Sequence, residues 1–202
     1  MNHKEIKEEA KNKIKGNLWI VLKPSLLVGL ISFCVSMLLT IIFGNESYVA
    51  SAIDSLCSLV LLPMTFGVLV YELKFARGEE VDIKMIFDYY NKFLPIFAAT
   101  LLVGLASGIG MIFLIIPGII IALGLQMTLL IMADGEEDPI ACIKKSWNMM
   151  NGYKWDYFVF SLSFIGWILL CVVTLGIATI WVAPYIKVSE MLYYDKLKQL
   201  TK

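Results

Sequence analysis

Strongly apolar, uncharged runs alternate with short charged segments along the whole chain. The runs cover residues 24–45, 55–71, 93–133 and 157–186. A hydrocarbon core about 30 Å thick, at about 1.5 Å rise per residue, is crossed by roughly 20 apolar residues. The first two runs therefore predict one transmembrane helix each. The third is too long for one crossing and contains Pro117-Gly118, a pair that favours a turn. It predicts two helices, near 93–114 and 118–133. The fourth fits either one tilted helix or two helices joined at Leu175-Gly176, the last running from Ile177 towards Tyr194.

Charge decides for two. Basic residues gather on the cytoplasmic side of bacterial-type membrane proteins. With six spans, the N-terminus, 72–92, 134–156 and the C-terminus lie inside. They hold all 17 Lys and Arg if Lys23 and Lys187 mark inner helix ends. Five spans would put Lys196, Lys198 and Lys202 outside. Glu46 and Asp54 are the acidic residues left on the outer side, and Trp19, Tyr71, Trp155 and Tyr194 fall near the inner interface, where amphipathic rings are favoured. The expected fold is all-α: a polytopic membrane bundle of six transmembrane helices in three hairpins, in one domain over 1–202, with both termini cytoplasmic. Residues 1–17 are a mixed Lys/Glu segment with no small-residue cleavage site after the first apolar run, so the first helix is expected to be uncleaved.

The inner connections predict short amphipathic helices. Asp138 is a candidate N-cap with Pro139 at the first helical position, and Ile140, Ile143, Trp147 and Met150 share a stripe. After Asp82, Ile83, Ile86, Phe87 and Tyr90 do the same; at the N-terminus Ile6, Ala10 and Ile14 form a narrower stripe. The two loops also echo each other: Ala76, Gly78, Glu79, Glu80, Ile83 and Ile86 align with Ala133, Gly135, Glu136, Glu137, Ile140 and Ile143. The second helix of each hairpin has one proline in or near it: Pro63, Pro117 or Pro184. Three repeat units follow as an expectation: 1–73, 74–133 and 134–202.

Composition agrees with a membrane protein. Hydrophobic residues make up 59% and charged residues 17%, with mean hydropathy +0.77; soluble domains are about 45–50% apolar and about 25% charged. Formal net charge is zero, which gives no sign of a nucleic-acid partner.

Candidate chemistry is sparse. The single histidine, His3, falls in a terminus expected to be mobile, which leaves nothing for His-based catalysis. Cys34, Cys57, Cys142 and Cys171 have no ligand spacing, and no phosphate loop, nucleophile elbow or zinc motif is present. No cofactor, metal or enzymatic activity is expected. Intramembrane polar groups are the remaining candidates, because a charge in hydrocarbon costs at least about 2.5–3.5 kcal/mol. Asp54 is expected at an outer helix end in headgroup water. Gln126 is expected mid-helix in the fourth span as a group that can bond across helices. Lys187 and Glu190, three apart beyond Pro184, can pair on one helical face. Gly104 and Gly108 form a GxxxG suited to close helix packing, within the chain or between copies. Glu79-Glu80 and Glu136-Glu137-Asp138 read as helix-start acids or as a cation lure.

Several runs are distinctive together: Ile116-Pro117-Gly118, Ser146-Trp147-Asn148-Met149-Met150-Asn151-Gly152, Leu162-Ser163-Phe164-Ile165-Gly166-Trp167, Leu175-Gly176-Ile177 and Trp181-Val182-Ala183-Pro184-Tyr185. They resemble a bacterial integral membrane family known as domain of unknown function 975. The resemblance implies a multi-pass cell-membrane protein, mostly of Gram-positive bacteria, with no established activity and no catalytic residue to carry over. Two functional classes follow. The first is a non-enzymatic protein acting by packing against membrane lipid, another membrane protein or itself, as an accessory, regulatory or self-protection factor. The second is a small transporter or channel using the proline-bearing helices.

Overall fold

A computed structural model describes residues 1–44 and 48–201; Glu46 and Lys202, both used above to assign sides, lie outside the described residues. Helices account for all regular structure among the described residues.

α1 (His3–Ile14) opens the chain, with the Asn2 side chain accepting from the Glu5 N–H. Its stripe of Ile6, Ala10 and Ile14 is buried and packs on α11 (Thr179–Leu200). The N-terminus is therefore helical and covered, with His3 as its first helical residue, instead of the mobile segment expected.

α2 (Leu18–Phe43) starts well before the apolar run and contains Pro24. A proline inside a helix leaves the carbonyl four residues earlier without its donor. Here that carbonyl belongs to Ile20, and the Tyr71 hydroxyl donates to it at 3.0 Å. α3 (Tyr48–Val60) and α4 (Leu62–Arg77) meet at a 42° bend, with Pro63 in the first turn of α4, where its missing N–H costs nothing.

The 82–92 segment is built of two 3-10 turns, Ile83–Phe87 and Tyr90–Lys92, and not the α-helix its stripe suggested. With three residues per turn the stripe does not stay on one face: Ile86 is fully buried while Phe87 and Tyr90 remain exposed. Ile86 presses on α4 at Gly67, where an added Cβ would meet the Ile86 carbonyl oxygen at 2.4 Å.

α5 (Phe93–Phe113) and α6 (Ile115–Leu125) turn back on each other at Leu114, which is extended at φ −161° and ψ 137°. The turn therefore precedes Pro117-Gly118, and Pro117 falls in the first turn of α6, where a proline is tolerated. Gly118 instead supplies closeness: an added Cβ would lie 2.6 Å from the Met111 nitrogen. After a break at Gln126 and Met127 comes α7 (Thr128–Ala133), then α8 (Pro139–Met149) with Asp138 as its N-cap. The buried face of α8 carries Cys142 and Ser146, with Met150 just beyond it, while Ile140 and Trp147 are exposed. The expected stripe was thus rotated around the helix.

α9 (Lys154–Leu162) and α10 (Ile165–Val173) follow, and the chain reverses at Leu175 (φ 51°) and Gly176 (φ 89°) into α11. Leu18–Phe43, Ile83–Ile112, Ile115–Ala133 and Lys154–Val173 are long and apolar enough to cross a membrane, and α3 with α4 makes a fifth span if the bent pair counts as one. α11 is long enough, but its Lys187, Glu190, Asp195 and Lys196 keep it from qualifying by composition. Leu30, Phe33, Ile41, Leu94, Ile112 and Val173 are among many large apolar side chains left uncovered, as expected of surfaces that face lipid.

Candidate functional site

α4 continues six residues past the apolar run, so Glu72 lies inside a helix and is only 5% exposed. The Ser25 hydroxyl of α2 donates to its Oε1 at 3.2 Å. Across from it on α11, Lys187 Nζ donates to Glu190 Oε2 at 3.2 Å, and both groups are electrostatic neighbours of Glu72. Glu190 also faces the Tyr157 phenol of α9, which the Gln126 side chain approaches from the break between α6 and α7. Gln126, Lys187 and Glu190 are thereby brought into one polar seam with Glu72, Ser25 and Tyr157. Glu190 takes the Lys187 ammonium directly, and Glu72 lies within its electrostatic reach. Gln126 is exposed at a helix break and not in the middle of a helix as expected. Asp54 stands apart: α3 begins before it, and its Oδ1 accepts from Ser36 of α2 at 2.6 Å, joining two helices.

A second cluster closes the end of the molecule that carries both termini. Arg77 finishes α4. Its Nη1 and Nη2 reach Asp134 Oδ1 and Oδ2 at 2.6 and 3.2 Å, and its Nε and Nη2 reach Asp195 at 3.1 and 2.6 Å. Asp134 also accepts from the Tyr194 hydroxyl at 2.7 Å and from Lys198 at 2.5 Å. Burial would raise the Asp134 pKa, but the hydrogen bonds from Arg77, Lys198 and Tyr194 outweigh it and hold the carboxyl at about 2. Nearby, Asp156 takes the Tyr193 hydroxyl at 2.9 Å and lies 3.2 Å from the Met1 ammonium and 3.1 Å from His3 Nε2. Lys196 pairs with Glu5 and Lys92 with Glu137. These links tie α1, both charged loops and α11 together at one end.

The run Glu136-Glu137-Asp138 is taken up the same way, whereas Glu79 and Glu80 are exposed. Glu136 pairs with Lys145, Glu137 with Lys92, and Asp138 caps α8. Among the described residues no group of three His, Cys, Asp or Glu could hold a metal. Burial, with Glu136 adding to it, pushes the Cys142 thiol up to about 11, which keeps it protonated.

Gly104 and Gly108 face open space: no atom lies within 4 Å of a Cβ added at either. The close packing expected of them within the chain is made instead by Gly110 and Gly118 at the turn, and by Gly124, over which the Trp147 ring lies. The Ser146–Gly152 run has a local explanation. The Ser146 hydroxyl donates to the Gly124 carbonyl at 2.9 Å and accepts from the Met127 N–H at 3.2 Å, mending the break between α6 and α7. Trp147 also receives the Lys154 ammonium 3.3 Å from its ring centroid, and Gly152 takes φ 82°.

Residues 108–201 match the model of the family described as "Protein of unknown function (DUF975)". The resemblance carried by the Pro117, Ser146–Gly152 and Trp181–Tyr185 runs therefore holds over this stretch. No curated protein and no solved structure matches the chain.

Proposed function

We propose that this chain is a non-enzymatic multi-pass protein of a bacterial cell membrane that acts as an accessory, regulatory or self-protection component. In this reading α11 is a sixth crossing, the helices form three hairpins, and both termini are cytoplasmic. The observation that carries it is where the charges go: Arg77, Asp134, Asp156, Asp195 and Lys198 are consumed in joining helices at one end. What remains elsewhere is an apolar belt suited to lipid or to another membrane protein.

Glu72 supports a second reading, a small transporter. A carboxylate buried in a spanning helix beside Lys187 and Glu190 is the type of group that carries protons or cations across membranes. Native mass spectrometry of the chain released from its own membrane, together with ion flux in proteoliposomes, separates the two. A protein partner at fixed stoichiometry with no flux supports the first; flux abolished by Glu72→Gln replaces it with the second.

A further inference from the structure

We infer that the groove between α1, α10 and α11 is a binding site for an anionic phospholipid. A cavity of about 710 Å³ lies there, walled on one side by Lys7, Lys11 and Lys15 and on the other by Trp167, Trp181 and Tyr185.

Lys7 and Lys11 stand one turn apart on α1, about 6 Å along its axis, and Lys15 follows as the extended residue that closes the helix. Glu8 lines the same cavity, which leaves three ammonium groups against one carboxylate. Among the described residues no carboxylate pairs with Lys7, Lys11 or Lys15, whereas Lys13 pairs with Glu9, and Lys196 of α11 with Glu5 of α1. Lys7 is held in place: it donates to the Ser163 carbonyl at 3.4 Å, at the break between α9 and α10, and stands 4.5 Å over the Phe164 ring. α1 itself is fixed by the burial of Ile6 and Ala10 against the bundle, so Lys7 and Lys11 are preorganised.

Below the lysines the groove turns apolar. Trp167 is 46% exposed and Trp181 58%, so both indoles open onto the flank of helices whose neighbours face lipid. A group of cations beside half-open indoles matches a phosphate headgroup joined to an acyl chain. Inorganic phosphate would gain nothing from the apolar floor. The site is independent of whether the protein is an accessory subunit or a transporter.

The test uses the full chain in mixed micelles with phosphatidylglycerol or phosphatidylcholine, each brominated on the acyl chain, reading tryptophan quenching. Phosphatidylglycerol should quench at lower mole fraction, and Trp167→Phe/Trp181→Phe should remove that difference. Lys11→Gln/Lys15→Gln, which leaves the Lys7 bond to Ser163 in place, should weaken the preference roughly thirtyfold, from about 1 kcal/mol per lysine. Lys144→Gln should leave it unchanged. Equal quenching by the two lipids overturns the proposal, as does a preference that survives the double lysine variant. Competition by inorganic phosphate at equal concentration would reassign the site to a free anion and likewise overturn it.

Discussion

Arg77 and Asp134, 57 residues apart, meet in a two-pronged pair at the ends of α4 and α7, with contacts of 2.6 and 3.2 Å. The same guanidinium grips Asp195 within α11, so one side chain joins three helices. Lysine cannot reproduce this, because a point ammonium lacks the fork. Arg77→Lys should lower thermal stability by about 1–3 kcal/mol, and a double-mutant cycle with Asp134→Asn should show strong coupling.

The pH dependence follows from the same carboxylate. Its folded pKa, about 2, lies below the ordinary 3.8. A depressed acid contributes stability that is present above the ordinary value and is lost as pH falls through the folded one. Between pH 4 and pH 2 the melting temperature of the parent chain should therefore fall more steeply than that of Asp134→Asn, measured in the same detergent.

Glycine substitutions should divide sharply. Gly67→Ala puts a methyl group 2.4 Å from the Ile86 backbone, and Gly124→Ala puts one 2.6 Å from the Trp147 ring. Overpacking of this type costs about 1–3 kcal/mol, with the backbone clash at Gly67 the worse because a ring can shift. Gly104→Ala and Gly108→Ala meet nothing and should leave the melting temperature unchanged.

Two hydroxyls mend broken helices. Tyr71→Phe strands the Ile20 carbonyl opposite Pro24, and Ser146→Ala strands both the Gly124 carbonyl and the Met127 N–H. A buried unpaired polar group costs about 1–3 kcal/mol, so Ser146→Ala should be the more damaging of the two in thermal unfolding.

Long apolar runs made the spanning helices legible, and Leu175-Gly176 was legible as a turn because few residues take positive φ. Glu72 was missed for a physical reason. A run ends at its first charge, whereas a helix ends where its backbone bonds do, and α4 carries Glu72 through into a buried position. The α8 stripe was misread because Cys142 and Ser146, a small thiol and a hydroxyl, fill the buried face while Ile140 and Trp147 are exposed. Gly104 and Gly108 had the right spacing, but spacing does not say which helix comes near; Gly110 and Gly118 are brought close by the turn at Leu114. Of the polar seam, Lys187 and Glu190 were visible as neighbours on one helix, while their meeting with Glu72, Tyr157 and Gln126 depends on tertiary packing.

The central claim is that the chain crosses the membrane in three hairpins and returns every basic segment to one side. Accessibility of single cysteines tests it most directly, in a background lacking Cys34, Cys57, Cys142 and Cys171, with a membrane-impermeant maleimide on intact cells. Tyr48→Cys, Ile115→Cys and Ile177→Cys should label, while Lys15→Cys, Glu80→Cys, Lys144→Cys and Thr201→Cys should label only after the membrane is opened. Labelling of Thr201→Cys in intact cells would put the end of α11 on the opposite side and contradict the account.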